Sequence, residues 1–153
     1  MKPVLQALVV ADHVYQDQQT GKKVICGTFN TFRFSRKLPV NELQAPDGTK
    51  QTVIAGGGQS GSPYAYVNLT DVCDGTKLRL QFVNLNKNVV LFGTELTIGN
   101  TNRLATIELV FPLPRLPIQE AGAYALELLC DGDLVGSYRI TAENMDEKEK
   151  GTT

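Results

Sequence analysis

Residues 76–85 read TKLRLQFVNL. Leu78, Leu80 and Phe82 alternate with Lys77, Arg79 and Gln81. Side chains on a strand point to opposite faces with period two, so this segment puts three large apolar groups on one side and three polar groups on the other. That is a half-buried strand of an antiparallel sheet, with one face in the core and one in water.

The same period runs outward in both directions. Strands are expected near 4–15, 22–34, 64–71, 76–84, 88–98, 104–111, 123–130 and 133–140. The joints between them carry turn residues. Asp74-Gly75 and Asp131-Gly132 are Asp-Gly pairs suited to the positive φ angles of tight hairpins. DQQTGK, NLNKN and IGNTNR make the looser connections. FPLPRLPIQEAG, rich in proline, cannot donate steadily to a ladder and marks a crossing between sheets. Residues 35–63 read as one long connection with a short strand at 51–55.

The composition fits one soluble globular domain. The chain has 153 residues, 42% hydrophobic and 20% charged, enough to bury a core without staples. Residues 1–141 are expected to form the domain, and 142–153, rich in charge, a disordered tail. Fifteen basic residues against sixteen acidic ones give a net charge of −1, which provides no bulk attraction to nucleic acid or anionic lipid. No apolar run reaches the length of a membrane span, and the apolar stretch near the start is broken by Gln6 with no small-x-small cleavage pattern after it. A cytoplasmic protein is expected, without nucleic-acid or membrane partners.

Residues 56–61, GGGQSG, spell a G-x-G-x-x-G. The dinucleotide fingerprint works because its glycine turn leads into a helix whose N-terminal amides hold a pyrophosphate. Here Ser62-Pro63 and then YAYVNLT follow, and that pattern is a strand. The phosphate-binding lysine of a P-loop is replaced by Ser62-Pro63, and Ser62 fills the last glycine position of a G-x-S-x-G elbow. The stretch reads as a loop.

Catalytic equipment is sparse. His13 is the only histidine, and Asp12 beside it points to the opposite face of its strand. Glu95, Glu108 and Glu127 fall at outward positions, and DGD at 131–133 has too few oxygens for calcium. Cys26, Cys73 and Cys130 are scattered, with no C-x-x-C, and Cys26 and Cys130 read as buried inert thiols. No enzyme activity, cofactor or metal is expected. The candidate binding residues are Tyr64 and Tyr66, placed on an exposed sheet face opposite Ala65, Val67 and Leu69, together with Arg33 and Arg36 of the short basic cluster FRFSRKLP.

The segment EAGAYALELLCDGDLVGSYRI, residues 120–140, resembles the F and G strands of immunoglobulin-like sandwiches. Its Glu120-x-Gly122-x-Tyr124 run matches the motif that places a tyrosine at the start of strand F, and the resemblance implies that the Tyr124 hydroxyl bonds back into the preceding crossover. Leu126 stands where disulfide-bonded members have a cysteine, and the chain has no tryptophan, so an antibody-type domain is excluded. LQALVVADHVYQDQQTGKKVICGTF, residues 5–29, and residues 122–140 are also similar to uncharacterised bacterial proteins of a domain-of-unknown-function type, a resemblance that carries no activity.

The expected fold is all-β: a two-sheet antiparallel sandwich, immunoglobulin-like, of about eight strands and without an inter-sheet disulfide. Its core is expected to include Leu8, Val10, Ile25, Phe29, Val67, Leu69, Leu78, Leu80, Phe82, Ile107, Leu109, Tyr124, Leu126 and Leu128. The expected role is a non-catalytic interaction or structural module, engaging a protein partner or a second copy of itself. The alternative is a small-ligand or carbohydrate binder.

Overall fold

The computed structural model describes residues 2–35 and 62–146 and the backbone of 40–44 and 50–54. Among the described residues eleven strands follow one another: β1 Val4–Gln16, β2 Lys23–Thr28, β3 Thr31–Phe34, β4 Val40–Gln44, β5 Lys50–Ile54, β6 Tyr64–Thr70, β7 Lys77–Asn84, β8 Val89–Thr97, β9 Ile107–Pro112, β10 Gly122–Cys130 and β11 Asp133–Asn144. Nine of them build a sandwich, with one sheet in the order β2-β1-β6-β9 and the other in the order β3-β11-β10-β7-β8. β4 and β5 pair with each other as a separate hairpin. The all-β two-sheet fold expected from the alternation is present, and the described cysteines are all free thiols.

The core lies between the two sheets, where their apolar rows meet. Val10, Val67 and Leu69 from the first sheet and Leu78, Leu80, Phe82, Leu126 and Leu128 from the second are almost wholly buried. Leu5 of β1 reaches across to Gly136 of β11, where any Cβ would strike its Cδ2. Phe82 stacks on Tyr124 with ring centroids 5.5 Å apart and on Phe92 at 5.4 Å, which ties β7 to both neighbours. Leu8, Phe29, Ile107 and Leu109 pack against this cluster from half-buried positions. Ile25 does not belong to it; β2 ends its sheet, and among the described residues it has one neighbouring strand to cover it.

The expected strand at 22–34 is two strands. β2 pairs with β1, and Gly27 adopts a φ of +75° immediately before the chain leaves that sheet. A positive φ is accessible to glycine without the Cβ clash other residues meet, which permits the bend. The chain then crosses to the second sheet, where β3 lies parallel to β11 with Thr31 opposite Thr141 and Phe34 opposite Asn144. This one parallel pairing departs from the antiparallel expectation. It holds β11 in register to Asn144, past the expected strand end at 140, and buries Phe32 and Phe34.

Two further expectations change. Asp74-Gly75 does not close a hairpin, because it joins β6 to β7 and those strands lie in different sheets. The segment expected as a long loop carries β4 as well as the short strand now seen as β5. The glycines of GGGQSG and Arg36 lie outside the described residues, but the segment after them is strand β6, as the alternation predicts. Asp131-Gly132 does close the β10–β11 hairpin, with φ of 49° and 87° in the I′ combination that suits the strand twist.

The run β11-β10-β7-β8 follows the G-F-C-C′ order of an immunoglobulin domain, and β6–β9 lie as its B–E pair. The Tyr124 hydroxyl donates to the carbonyl of Glu120 at 2.9 Å, the corner bond that the resemblance implies. The proline-rich residues 113–121 make the crossing from β9 to β10, between sheets, as expected.

Candidate functional site

Of the four residues singled out from sequence, the three described ones do not converge. Tyr64 and Tyr66 belong to β6 in the four-stranded sheet, Arg33 to β3 in the other, and Arg36 lies outside the described residues. Tyr66 is only 8% exposed, which corrects the expectation of an exposed aromatic face. β6 is an inner strand, so Tyr66 is flanked in register by Val9 and Val110, and its hydroxyl donates to the carboxylate of Glu108 while accepting from Asn68 at 3.2 Å. Burial and the Glu108 carboxylate both raise its pKa. Tyr64 is half-buried, and Arg33 is exposed and lies 3.5 Å from Glu143.

Four partly exposed apolar side chains lie together elsewhere, on β8. This nine-residue strand is the end strand of its sheet, and Val89 and Val90 are each 47% exposed, Leu91 36% and Leu96 38%. The β7–β8 hairpin positions it. Phe82 pairs with Phe92 and Val83 with Val90, so Leu91 is an extra residue, a bulge. From Phe92 to Thr97 the ladder is regular.

The backbone of that regular part has a definite polarity. Ile98 donates to Thr76 at 2.9 Å and accepts from Gly75 at 2.7 Å, so its polar groups face β7. Such groups alternate along an antiparallel strand, which turns Leu96, Thr94 and Phe92 toward β7 and leaves the N–H and C=O of Thr97, Glu95 and Gly93 pointing outward. No described strand meets them. An open edge of this kind is a template for another strand.

A polar ladder crosses the outer face next to that edge. Arg79 bonds Glu95 of β8 at 3.0 Å and Gln81 at 3.0 Å, and Gln81 bonds Glu127 of β10 at 3.0 Å. Gly93 leaves room for the guanidinium, since a Cβ there would come within 2.7 Å of Nη2.

At the start of β8 a cleft of about 470 Å³ opens between Val89 and Leu91 on one side and Pro117, Gln119 and Glu120 of the crossover on the other. Tyr124 lines it, with its pKa raised by burial and by the Glu120 carboxylate nearby. Glu120 accepts from Asn84 at 2.7 Å and pairs with Lys87 at 3.2 Å. The buried Asn84 in turn accepts from the backbone N–H of Asn86 and Lys87, which fixes the hairpin turn against the crossover.

Other reactive groups stand apart. His13 is exposed on β1, opposite Cys26 of β2, and Cys26 contacts the Tyr15 hydroxyl at 3.7 Å. Cys26 is half-buried rather than buried, Cys73 is exposed, and Cys130 is buried, its thiol pushed up to about 11 by desolvation and the Asp131 charge. Among the described residues no three His, Cys, Asp or Glu side chains gather as a metal-binding group, and no helix is long and apolar enough to cross a membrane.

No protein-family model matches the chain, and no curated protein matches it in sequence. The β8 surface was nevertheless signalled in the letters. Val89-Val90-Leu91-Phe92 is an unbroken apolar run inside an alternating segment, and such a run requires either burial on both faces or a bulge on an exposed edge.

Proposed function

We propose that this protein is a non-catalytic interaction module that binds another polypeptide by strand addition to the β8 edge. One observation carries the reading: β8 has an open backbone edge and partly exposed apolar side chains at both ends of the strand. In strand addition, main-chain hydrogen bonds hold the incoming segment while alternate side chains supply the choice of partner. Natural edge strands are commonly blunted by lysine, proline or a bulge; β8 contains neither lysine nor proline, and its bulge at Leu91 leaves the regular part from Phe92 to Thr97 open.

The reading is tested by a proline at an outward-facing position. Glu95→Pro removes an outward N–H without removing a β7 bond, so the fold is retained while the template is broken. Proteins crosslinked to the wild type in its native cell are expected to be lost with Glu95→Pro and kept with Tyr64→Ala. Equal recovery with both variants would refute the β8 assignment.

The cleft beside Tyr124 supports a second reading, a small-ligand site, because its size lies in the usual range and Lys87 and Glu120 provide oriented polar groups. A thermal-shift screen of glycans and small polar molecules tests it; a hit abolished by Asn84→Ala supports this reading, and no hit removes it.

A further inference from the structure

We propose that the β8 edge takes a second copy of this chain, the two β8 strands running antiparallel about a two-fold axis at Thr94 and joining two five-stranded sheets into one of ten. The inference rests on the strand-addition reading and names its partner.

Symmetry and parity restrict the register. Two identical antiparallel strands related by a two-fold make an isologous contact, and directly opposed residues must share a face, so the axis passes through a residue. An axis at Glu95 would set the two Glu95 carboxylates directly opposite, a destabilising like-charge pair. An axis at Gly93 would set Glu95 against the bulged Leu91, where the regular ladder has ended. An axis at Phe92 runs into the bulge, and one at Leu96 runs off the strand end at Thr97. Thr94 remains.

That register is also complementary. The outward N–H and C=O groups of Gly93 and Glu95 meet those of Glu95 and Gly93 in the other copy, so four backbone hydrogen bonds form around the axis. On the inner face Phe92 lies opposite Leu96 of the other copy, covering apolar surface now open at the edge.

On the outer face Glu95 comes opposite a residue with no side chain. The space over Gly93 is filled by Arg79, reaching across from β7. Opposed Cβ positions stand about 4.5–5.5 Å apart, so each Glu95 carboxylate comes within reach of the other copy's Arg79 guanidinium while keeping its own at 3.0 Å. Two arginines and two glutamates then alternate around the axis. This charge pattern selects a second copy over an arbitrary strand, because it needs a glutamate two residues from a glycine that carries an arginine above it.

Sedimentation velocity across about 1 to 300 μM tests the proposal. The wild type is expected to form a dimer. Glu95→Arg and Arg79→Glu are each expected to dimerise at least about tenfold more weakly, since like charges then meet at the axis. An equimolar mixture of the two variants restores opposite charges and is expected to recover dimer. Each variant keeps its fold, because the pair is exposed and worth at most about 1 kcal/mol within the chain; circular dichroism checks this.

A crosslink fixes the register. With Cys26→Ser and Cys73→Ser removing the accessible thiols, Thr94→Cys is expected to oxidise to a covalent dimer, since a non-hydrogen-bonded pair brings Cα atoms to about 4.5 Å, within disulfide range. Thr97→Cys in the same background is expected not to. A wild type that stays monomeric throughout overturns the second-copy proposal, and loss of other captured proteins with Glu95→Pro would then leave strand addition standing. A dimer that survives Glu95→Pro overturns both.

Discussion

The guanidinium of Arg79 lies over Gly93 of the neighbouring strand, with Nη2 only 2.7 Å from where a Cβ would stand. Gly93→Ala therefore forces the arginine aside. Because the displaced atoms are the tip of a flexible side chain, and a strand gains from alanine over glycine, stability is expected to change by less than about 1 kcal/mol in urea unfolding. Self-association is expected to weaken about tenfold in sedimentation, since Arg79 no longer faces the edge. A large loss of stability with unchanged association would reverse the role assigned to this contact.

Tyr124→Phe removes one hydroxyl. Its bond to the Glu120 carbonyl holds the crossover against β10 at a position that is almost wholly buried. The ring stack on Phe82 survives, so the expected cost is that of one buried hydrogen bond, about 1–2 kcal/mol by denaturant unfolding. A neutral result would show that the corner bond does not stabilise the fold.

Alkaline unfolding should follow the buried tyrosines. Tyr66, Tyr124 and Tyr138 each have a pKa raised above 10.0, with burial as the leading cause. The native state thus holds these protons more tightly than the unfolded chain. Their contribution to stability is complete below about pH 10 and is lost as pH rises through the higher native values. Cys130, raised from 9.0 to about 11, adds a loss that begins about one unit lower, so unfolding free energy measured in urea is expected to be level from neutral pH to about pH 8 and to fall from about pH 9, more steeply beyond about pH 10; a free energy that stays level to about pH 11 would contradict it.

Thiol labelling separates the cysteines by burial. Cys73 is exposed, whereas Cys130 is buried with its thiol pushed up to about 11. At pH 8 an aromatic disulfide reagent is expected to modify Cys73 rapidly and Cys130 only when the protein unfolds. Native-state labelling of Cys130 at the rate of Cys73 would place that end of β10 in an open environment.

The sandwich was legible where alternation had one meaning. Leu78, Leu80 and Phe82, and likewise Leu126 and Leu128, are core residues whichever strands lie beside them. What alternation does not encode is the neighbour. Residues 22–34 look the same whether they stay beside β1 or cross to β11, and only the bend at Gly27 separates the two. Tyr66 sits on the outward face as the pattern requires, yet it is covered because β6 is an inner strand and Glu108 reaches its hydroxyl. The run at Val89–Leu91 stands out in the letters because it breaks the period, but whether such a run is buried on both faces or bulged at an edge is decided by topology.

Amide hydrogen exchange at β8, followed as a function of protein concentration, tests the central claim most directly. The N–H groups of Gly93 and Glu95 point outward and are expected to exchange rapidly in dilute protein and to become protected as concentration rises, while the inward amide of Thr94 stays protected throughout. Exchange at Gly93 and Glu95 that remains rapid at every concentration, or protection arising on β3 or β6 instead, would contradict the account.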